Sequence, residues 1–414
     1  MRSATPASSR SSCRPSAALP SKPSTARKTS TSSATKSKRW KVEGGKWKVF
    51  RSAGRGAGSS AFAPRTPTLP HSHAPLPSYE NERETALAAV RRAGRLCQTI
   101  QEAMHAPAGS DGANGAAVRQ KEDRSPVTVA DFGSQALICR ALAEAFPDDP
   151  VVGEEDAAML RSDDDAREQV VRSVQAVLED DGEATAAPDD VLGWIDRGNA
   201  DGAAERYWTV DPIDGTKGFV RGDQYAVALA LIVDGRVEVG VLGLPNFMPV
   251  AEAVQVKGLL VAAERGEGAA GYAAYEGAEA APTGVTASPV SDPAEARFCE
   301  SVESAHTAHG AAAEVAERLG ITREPLRVDS QAKYAMVARG DAEIYLRLPR
   351  GDYVENIWDH AAGMMLVEEA GGAVTDLTGK PLDFSHGPEL SENRGIVATN
   401  GAFHERVIEA IRDA

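Results

Sequence analysis

The segment from Trp208 to Leu231 contains the residues best suited to chemistry. It reads WTVDPIDGTKGFVRGDQYAVALAL and places two carboxylates, Asp211 and Asp214, three residues apart around Pro212. Proline fixes its own φ and lacks a backbone donor, and Gly215 tolerates a φ that other residues avoid, so the segment predicts a tight turn at a strand end. Hard divalent cations prefer carboxylate oxygens, and free backbone N–H groups bind anions. The segment therefore predicts metal-assisted phosphoryl chemistry.

Three further acidic positions have both a chemical and an ordinary structural interpretation. Glu154-Glu155 follow the apolar residues of VVGEED, and acidic clusters after strands are usually solvated turns. Asp131 ends KEDRSPVTVAD before a helical pattern, so it either caps that helix or takes part in catalysis. Asp359, in WDHAAG, lies at the start of a helix that we expect to reach about Ala370 and to end at Gly371-Gly372. This residue could be an N-cap, bind a metal, or do both.

The elements that must position these residues are visible as helical and strand-like patterns. Apolar residues recur at three- and four-residue intervals from Tyr79 to Met104, and helical spacing resumes from Gln135 to Phe146. Asp234-Gly235 joins two apolar runs and predicts a β-hairpin. The polar and acidic residues 161–191 predict mainly a surface insertion, part of it helical around Val170–Leu178, and the Ala- and Gly-rich residues 263–295 carry little information.

Composition limits the class of protein. The first 80 residues contain 15 Lys or Arg and two Asp or Glu, whereas the remaining residues contain 30 and 58, so the body of the protein is strongly acidic. Such a body argues against general nucleic-acid binding, which depends on Lys and Arg contacts to phosphates. No apolar run approaches the ~20 residues that a membrane-spanning helix needs. The four cysteines include no CxxC pair, so they predict neither a disulfide framework nor a zinc site and are expected to stay reduced.

The N-terminal segment predicts an organelle transit peptide. Residues 1–42 contain no Asp or Glu, are rich in Ser, Thr, Ala, Arg and Lys, and lack the apolar core of a secretory signal. The alternatives are a disordered basic tail or a wrongly assigned start, and in those cases we expect a cytoplasmic protein. The Pro- and His-rich residues 63–77 are typical of a linker.

Four acidic motifs in a fixed order carry a family resemblance. Asp131, Glu154-Glu155, the DPIDGT turn and Trp358-Asp359 together resemble the inositol monophosphatase superfamily of metal-dependent, lithium-sensitive phosphatases. The resemblance covers about residues 80 to 410. SPVTVADFGSQALI, VLGWIDRGN and DPIDGTKGFVRGDQYAVALALIVDG are similar to the branch of 3′(2′),5′-bisphosphate nucleotidases, as are VESAHTAHG, DSQAKYAMVARG and YLRLP. Ala305 departs from the Lys-Gly pattern expected before the next histidine, which bears on substrate contacts and not on the chemistry.

The resemblance implies a metal centre with two or three Mg²⁺ ions. Its ligands would be four carboxylates and one backbone carbonyl: Glu154, Asp211, Ile213, Asp214 and Asp359. Glu155 would be an accessory ligand, and Asp211 would bridge two ions. Asp131 and Thr216 would orient and deprotonate the attacking water, and the amides of Gly215 and Thr216 would cradle the phosphate.

The resemblance also implies a nucleotide pocket. The residues facing the substrate would be Gly215, Thr216, His306, Thr307, Ser330, Lys333, Arg347 and Asp359. Lys333 and Arg347 suit a 5′-phosphate, Arg347 through its fork of donors. Without the resemblance, His306 would be read as an ordinary surface or core histidine and Ser330 as a turn residue.

The implied activity is removal of the 3′-phosphate of 3′-phosphoadenosine 5′-phosphate to give AMP and phosphate, with 3′-phosphoadenylyl sulfate as a further candidate substrate. The alternatives are an inositol (poly)phosphate 1-phosphatase and a nucleotide sensor without turnover. The implied fold is α/β, with alternating helix and sheet layers and a site between two subdomains, residues 76–255 and 256–414. We expect a monomer without nucleic-acid or membrane partners, located in a plastid (chloroplast) or mitochondrion after removal of residues 1–75.

Overall fold

A computed structural model describes residues 40–43, 46–49, 78–106, 119–120, 126–247, 258–273, 281–302, 309–349, 351 and 353–413. The chain divides into two units, Met1–Ala74 and Pro75–Ala414. In the first unit, β1 (Trp40–Glu43) and β2 (Lys46–Val49) pair antiparallel and form a hairpin within the basic N-terminal segment. The rest of the predicted transit peptide and linker lies outside the described residues.

The second unit contains the helices and strands that carry the acidic motifs. Its described helices are α1 (Glu80–His105), α2 (Val129–Ala145), α3 (Ala158–Ser162), α4 (Asp164–Asp180), α5 (Pro188–Asp196), α6 (Thr216–Arg221), α7 (His309–Leu319), α8 (Ala332–Ala338), α9 (Ala361–Glu369) and α10 (His404–Arg412). Two short 3₁₀ turns span Pro293–Glu295 and Ile357–Asp359. Its described strands are β3 (Arg119–Gln120), β4 (Pro126–Val127), β5 (Val151–Gly153), β6 (Arg206–Asp214), β7 (Ala226–Val233), β8 (Arg236–Leu244), β9 (Leu259–Glu264), β10 (Gly268–Ala273), β11 (Thr283–Val285), β12 (Phe298–Glu300), β13 (Leu326–Arg327), β14 (Ile344–Arg347), β15 (Ala373–Thr375) and β16 (Ile396–Thr399).

Two sheets alternate with helical layers. The larger sheet has the order β11-β10-β9-β8-β7-β6-β5, and the smaller has the order β13-β12-β14-β16-β15. Helices α1 and α2 pack on one face of the larger sheet, α8 and α9 lie between the sheets, and α7 and α10 cover the outer face of the smaller sheet. The predicted α/β fold with alternating layers is therefore confirmed.

Strand β7 is apolar throughout because both of its faces are covered. One set of its side chains joins the core formed with α1 and α2: Val227, Leu229 and Leu231. The other set joins the core formed with α8 and α9 and is small except at its last position: Ala226, Ala228, Ala230 and Ile232. On the neighbouring strand, a Cβ at Gly240 would lie 2.8 Å from the Ala362 carbonyl oxygen, so α9 packs directly against the sheet.

Several predicted elements are confirmed. The periodic segment from Tyr79 to Met104 corresponds to α1, and Asp234-Gly235 joins β7 to β8. Both turn residues have positive φ, 51° and 72°, as a tight hairpin turn requires.

The three described cysteines are free thiols in the interior: Cys97, Cys139 and Cys299. No helix among the described residues is long and apolar enough to cross a membrane.

Other predictions need correction. Residues 161–191 are not mainly a surface insertion, because α4 packs against α2 and fully buries Val170, Val174 and Leu178. These residues recur every four positions along α4, which agrees with the helical part expected around Val170–Leu178, but the helix is packed into the core. The described part of residues 263–295 supplies β10 and β11 to the larger sheet. The chain passes from the larger sheet to the smaller one between β11 and β12, so the expected subdomain boundary at 255/256 falls within the larger sheet.

Candidate metal centre and phosphate cleft

A β-bulge brings two carboxylates of β6 to the same side. Side chains alternate along a strand, so Asp211 and Asp214, three residues apart, would normally point to opposite faces. Asp211 is opposite Ala228 and Asp214 is opposite Ala226, so β6 has one more residue than β7 over this interval. The extra residue resets the alternation at Pro212-Ile213, and both carboxylates line one cleft.

Asp359 completes an acidic cluster from the other side of the cleft. Carboxylate oxygens of Asp211, Asp214 and Asp359 all lie within 4.8 Å of one another, and Glu154 also lines the cleft. Burial and the adjacent charges of Glu154, Asp214 and Asp359 raise the pKa of Asp211 well above its usual range. Burial also raises the pKa of Asp359 to about 7, although Arg347 opposes the rise. Four acids so close together form a donor set that suits hard divalent cations.

Asp131 both stabilises a helix start and contacts the turn after β6. It is the third residue of α2, and its Oδ2 accepts hydrogen bonds from the Thr128 backbone N–H at 2.8 Å and the Thr128 hydroxyl at 2.7 Å. Its Oδ1 lies 3.3 Å from the Thr216 hydroxyl, which is also 3.2 Å from the carbonyl oxygen of Ile213. The N-cap is Thr128, so Asp131 completes a capping box with one oxygen and holds Thr216 with the other.

Asp359 is likewise not the N-cap that the sequence suggested. It is the last residue of the 3₁₀ turn, and His360 precedes α9 without a side-chain capping bond. The 3₁₀ turn directs the Asp359 carboxylate into the cleft instead of onto the helix end.

The basic side of the cleft is formed by residues of α8 and β14. Lys333 is 4% exposed, its Nζ donates to the Ser330 carbonyl at 2.8 Å, and it lies 5.3 Å from the centre of the Tyr345 ring. Burial lowers the pKa of Lys333, while the nearby charge of Asp214 opposes the fall. Ser330 has a φ of 72° and its Oγ accepts from the Ala332 N–H at 3.2 Å, so a strained residue lies beside the turn at Gly215.

A second group of potential ligands, Glu355, Asp359 and His360, also lies close together. Arg347 lies beside two members of this group, with its Nε 2.8 Å from Glu355 Oε2 and its Nη2 3.9 Å from Asp359 Oδ2. Burial alone would raise the pKa of Glu355, but His360 and Arg347 hold it at about 2. A guanidinium in this position disfavours a cation, so we assign Glu355 to Arg347 and not to a metal.

Two glutamines that sequence reasoning missed connect the parts of the site. The backbone N–H of Gln331 donates to Asp214, its side-chain Nε2 donates to the Trp358 carbonyl at 2.8 Å, and its Oε1 accepts from the Gly363 N–H at 3.1 Å. Gln331 thus fixes the bulged strand relative to the 3₁₀ turn.

Gln135 fixes the backbone of the Glu154-Glu155 segment. Its side chain donates to the Glu155 carbonyl, and its Oε1 accepts from the Glu155 N–H at 3.0 Å. Gln135 follows Asp131 by four residues on α2, which places both on one helix face, and that spacing was a usable signal.

Most of the predicted site residues line the cleft, which has a volume of about 290 Å³. Those lining it are Glu154, Asp211, Ile213, Asp214, Gly215, Thr216, Ser330, Lys333, Arg347 and Asp359. Asp131 lies behind Thr216, and Glu155 is buried with its backbone bound to Gln135 and does not line the cleft. His306 and Thr307 lie outside the described residues. Arg221 donates to Asp329 at 2.6 Å and ties α6 to the loop before α8, a contact that no motif indicated.

Comparison with known proteins agrees with this arrangement. A model of the inositol monophosphatase family matches residues 80–414. A 3′(2′),5′-bisphosphate nucleotidase of Schizosaccharomyces pombe is 42% identical over 343 residues, covering 80% of this chain and 95% of that protein. A protein of the same name from Emericella nidulans is 43% identical over 357 residues, covering 81% of this chain and 98% of that protein.

A plant relative and a solved structure extend the comparison. The 3′,5′-bisphosphate nucleotidase AHL of Arabidopsis thaliana is 41% identical over 367 residues, covering 81% of this chain and 96% of that protein. The Thermotoga maritima IMPase shares the fold at a TM-score of 0.52 and 20% identity, covering 81% of this chain and 98% of that one. From the extent of the family match and the identity to these relatives, we conclude that the chain belongs to the inositol monophosphatase family.

Proposed function

We propose that the protein is a 3′(2′),5′-bisphosphate nucleotidase that converts 3′-phosphoadenosine 5′-phosphate to AMP and phosphate. The observation that carries the proposal is that one cleft has an acidic cluster on one side and two cations, the buried Lys333 and the partly buried Arg347, on the other. The acidic side suits cations and the phosphate to be cleaved, and the basic side suits a second phosphate. The names of the relatives in fungi and Arabidopsis support this choice over an inositol phosphatase.

The donor set fits Mg²⁺, and Glu154, Asp211, Asp214, Asp359 and the Ile213 carbonyl are the groups that would hold it. When bound, divalent ions would neutralise the phosphate and stabilise the leaving oxygen. Glu155, which does not line the cleft, would be an accessory ligand behind these groups. We propose two or three ions and sensitivity to lithium, as the family resemblance implies.

The chain itself provides a route for the proton of the attacking water. The Thr216 hydroxyl lies within reach of Asp131, so it can donate its proton to that carboxylate while accepting one from water. The Gly215 and Thr216 amides would bind the phosphate at the start of α6, with Ser330 beside them. His306 and Thr307 complete the proposed nucleotide contacts.

A substrate panel tests the proposal. Phosphate release with Mg²⁺ is measured for adenosine 3′,5′-bisphosphate, 3′-phosphoadenylyl sulfate, adenosine 3′-monophosphate, inositol 1-phosphate and inositol 1,4-bisphosphate, with and without lithium. We expect the adenosine bisphosphate to have the highest kcat/KM. Equal or faster turnover of an inositol phosphate would refute the nucleotidase assignment, and binding of the bisphosphate without any turnover would indicate a sensor.

The proposal extends to the cellular setting. The basic composition of residues 1–42 supports import into a plastid or mitochondrion, and the small nucleotide substrate requires no second subunit, which supports a monomer. Imaging of residues 1–75 fused to a fluorescent protein tests the location. Diffuse cytoplasmic fluorescence would refute the targeting assignment.

A further inference from the structure

The Arg347 guanidinium lies between two carboxylates with different surroundings. Its Nε is 2.8 Å from Glu355 Oε2, and its Nη2 is 3.9 Å from Asp359 Oδ2. Asp359 belongs to the acidic cluster and lines the cleft, whereas Glu355 is 2% exposed and does not line it. The acidic cluster attracts the guanidinium, so the observed position requires a competing partner outside the cluster.

Glu355 is fixed well enough to be that partner. Its Oε2 lies 3.1 Å from His360 Nε2, and His360 Nδ1 lies 2.8 Å from the Tyr334 hydroxyl. The Tyr334 ring packs so closely on α9 that a Cβ at Gly363 would lie 2.3 Å from it. A chain of contacts from α8 to Glu355 therefore prevents the carboxylate from following Arg347 into the cleft.

We propose that Glu355 is a positioning residue that holds Arg347 at the cleft wall and keeps its ion pair with Asp359 long, at 3.9 Å. Arg347 then remains available to a phosphate of the substrate, and Asp359 remains available to a cation. The identity of that phosphate as the 5′-phosphate rests on the proposed function. The role in keeping Asp359 available does not depend on the substrate.

The variant Glu355→Gln tests the proposal because it keeps the shape of the side chain and removes its charge. Three quantities are measured: kcat/KM for adenosine 3′,5′-bisphosphate relative to adenosine 3′-monophosphate, AMP binding by calorimetry, and Mg²⁺ binding by calorimetry without substrate. We expect the kcat/KM ratio to fall at least about tenfold, and AMP and Mg²⁺ to bind more weakly by similar factors. Glu355→Asp keeps the charge and should restore most of each loss.

A matched control separates positioning from stability. Glu264 is also 2% exposed and lies 3.3 Å from Arg83, but neither residue lines the cleft. Glu264→Gln should lower the melting temperature without changing the substrate ratio or Mg²⁺ binding. If Glu355→Gln leaves both quantities unchanged, or changes them no more than Glu264→Gln does, the proposal is overturned.

The failure of the proposed function gives a different result. If the wild-type protein does not prefer the bisphosphate to the 3′-monophosphate, the 5′-phosphate assignment is wrong. The positioning role is then decided by Mg²⁺ binding alone, which must still weaken in Glu355→Gln and recover in Glu355→Asp. A Glu355→Gln variant that does not fold leaves Glu355→Asp as the deciding variant: Mg²⁺ binding no weaker than half of wild type supports the role, and a larger loss overturns it.

Discussion

Replacement of Gly215 by alanine tests how the turn after β6 is built. Gly215 has a φ of 90°, and a Cβ there would lie 3.1 Å from the Ser330 Cβ. The left-handed backbone costs an alanine about 1–2 kcal/mol. The close contact adds a second effect, because one neighbour must move by a few tenths of an ångström. Ser330 is tied to α8 and Gln331 to Asp214, so we expect the turn to move.

Gly371 offers a matched control for the backbone effect. Its φ is 91°, and a Cβ there would meet no heavy atom within 4 Å. Gly371→Ala should therefore lose the same ~1–2 kcal/mol of unfolding free energy and keep its turnover. Gly215→Ala should lose at least as much stability and, in addition, about tenfold in kcat/KM, since a displacement of ~1 Å in an active site can cost about 10²-fold.

Urea unfolding and Mg²⁺-dependent phosphate release measure the two effects. Equal kcat/KM for the two variants would refute the idea that the close approach of Gly215 to Ser330 sets the position of the turn. Full stability of both variants would refute the backbone argument itself.

Three further predictions concern other groups. Asp131→Asn should remain folded and bind AMP, while phosphate release falls by about 10²–10⁴-fold; turnover near the wild-type rate would exclude Asp131 as the proton acceptor. Burial lowers the pKa of His404, with Glu405 opposing, so stability from its neutral form is present above about pH 6.5 and is lost as the pH falls; urea unfolding at pH 7 and 5 should show a larger loss for wild type than for His404→Gln. Burial raises the pKa of Cys139 and Cys299 to about 12 and that of Cys97 further, so a thiol reagent at pH 8 should modify them only after unfolding; rapid modification of the native chain lacking residues 1–75 would contradict this.

The sequence was sufficient to predict those parts of the site and fold that are formed by residues close together in the chain. Asp211 and Asp214 belong to one turn, and Pro212 and Gly215 mark where the strand must deviate from regular alternation. The hairpin at Asp234-Gly235 is likewise a short-range signal, since both residues adopt the positive φ that the turn requires. The order of the acidic motifs then identified the family.

Contacts between distant segments could not be predicted in the same way. Gln331 bonds to Asp214 and to Trp358, which lie 117 and 27 residues away, and nothing in DSQAK indicates these partners. Glu355 precedes the WDH sequence, but its pairing with Arg347 depends on where the 3₁₀ turn places it. The helix α4 was predicted only in part, around Val170–Leu178, because the many acidic residues of this stretch favoured a surface insertion over a helix with a buried face.

The charges of the cleft couple cation binding on its acidic side to anion binding on its basic side. Burial disfavours the charged form of Lys333, and the negative charge of Asp214 favours it. Lys333 and Arg347 in turn offset only part of the effect that raises the pKa of Asp214. A cation bound by the acids would offset their negative charge, so the two basic groups would then favour an anion more strongly. An anionic substrate in turn compensates both the bound cation and the basic groups, so cation and substrate should strengthen each other's binding by the same factor. Among the residues that the structure describes, Glu355 is the acid that contacts Arg347 from outside the cleft lining, and so it keeps the guanidinium in place whether or not the cluster is neutralised.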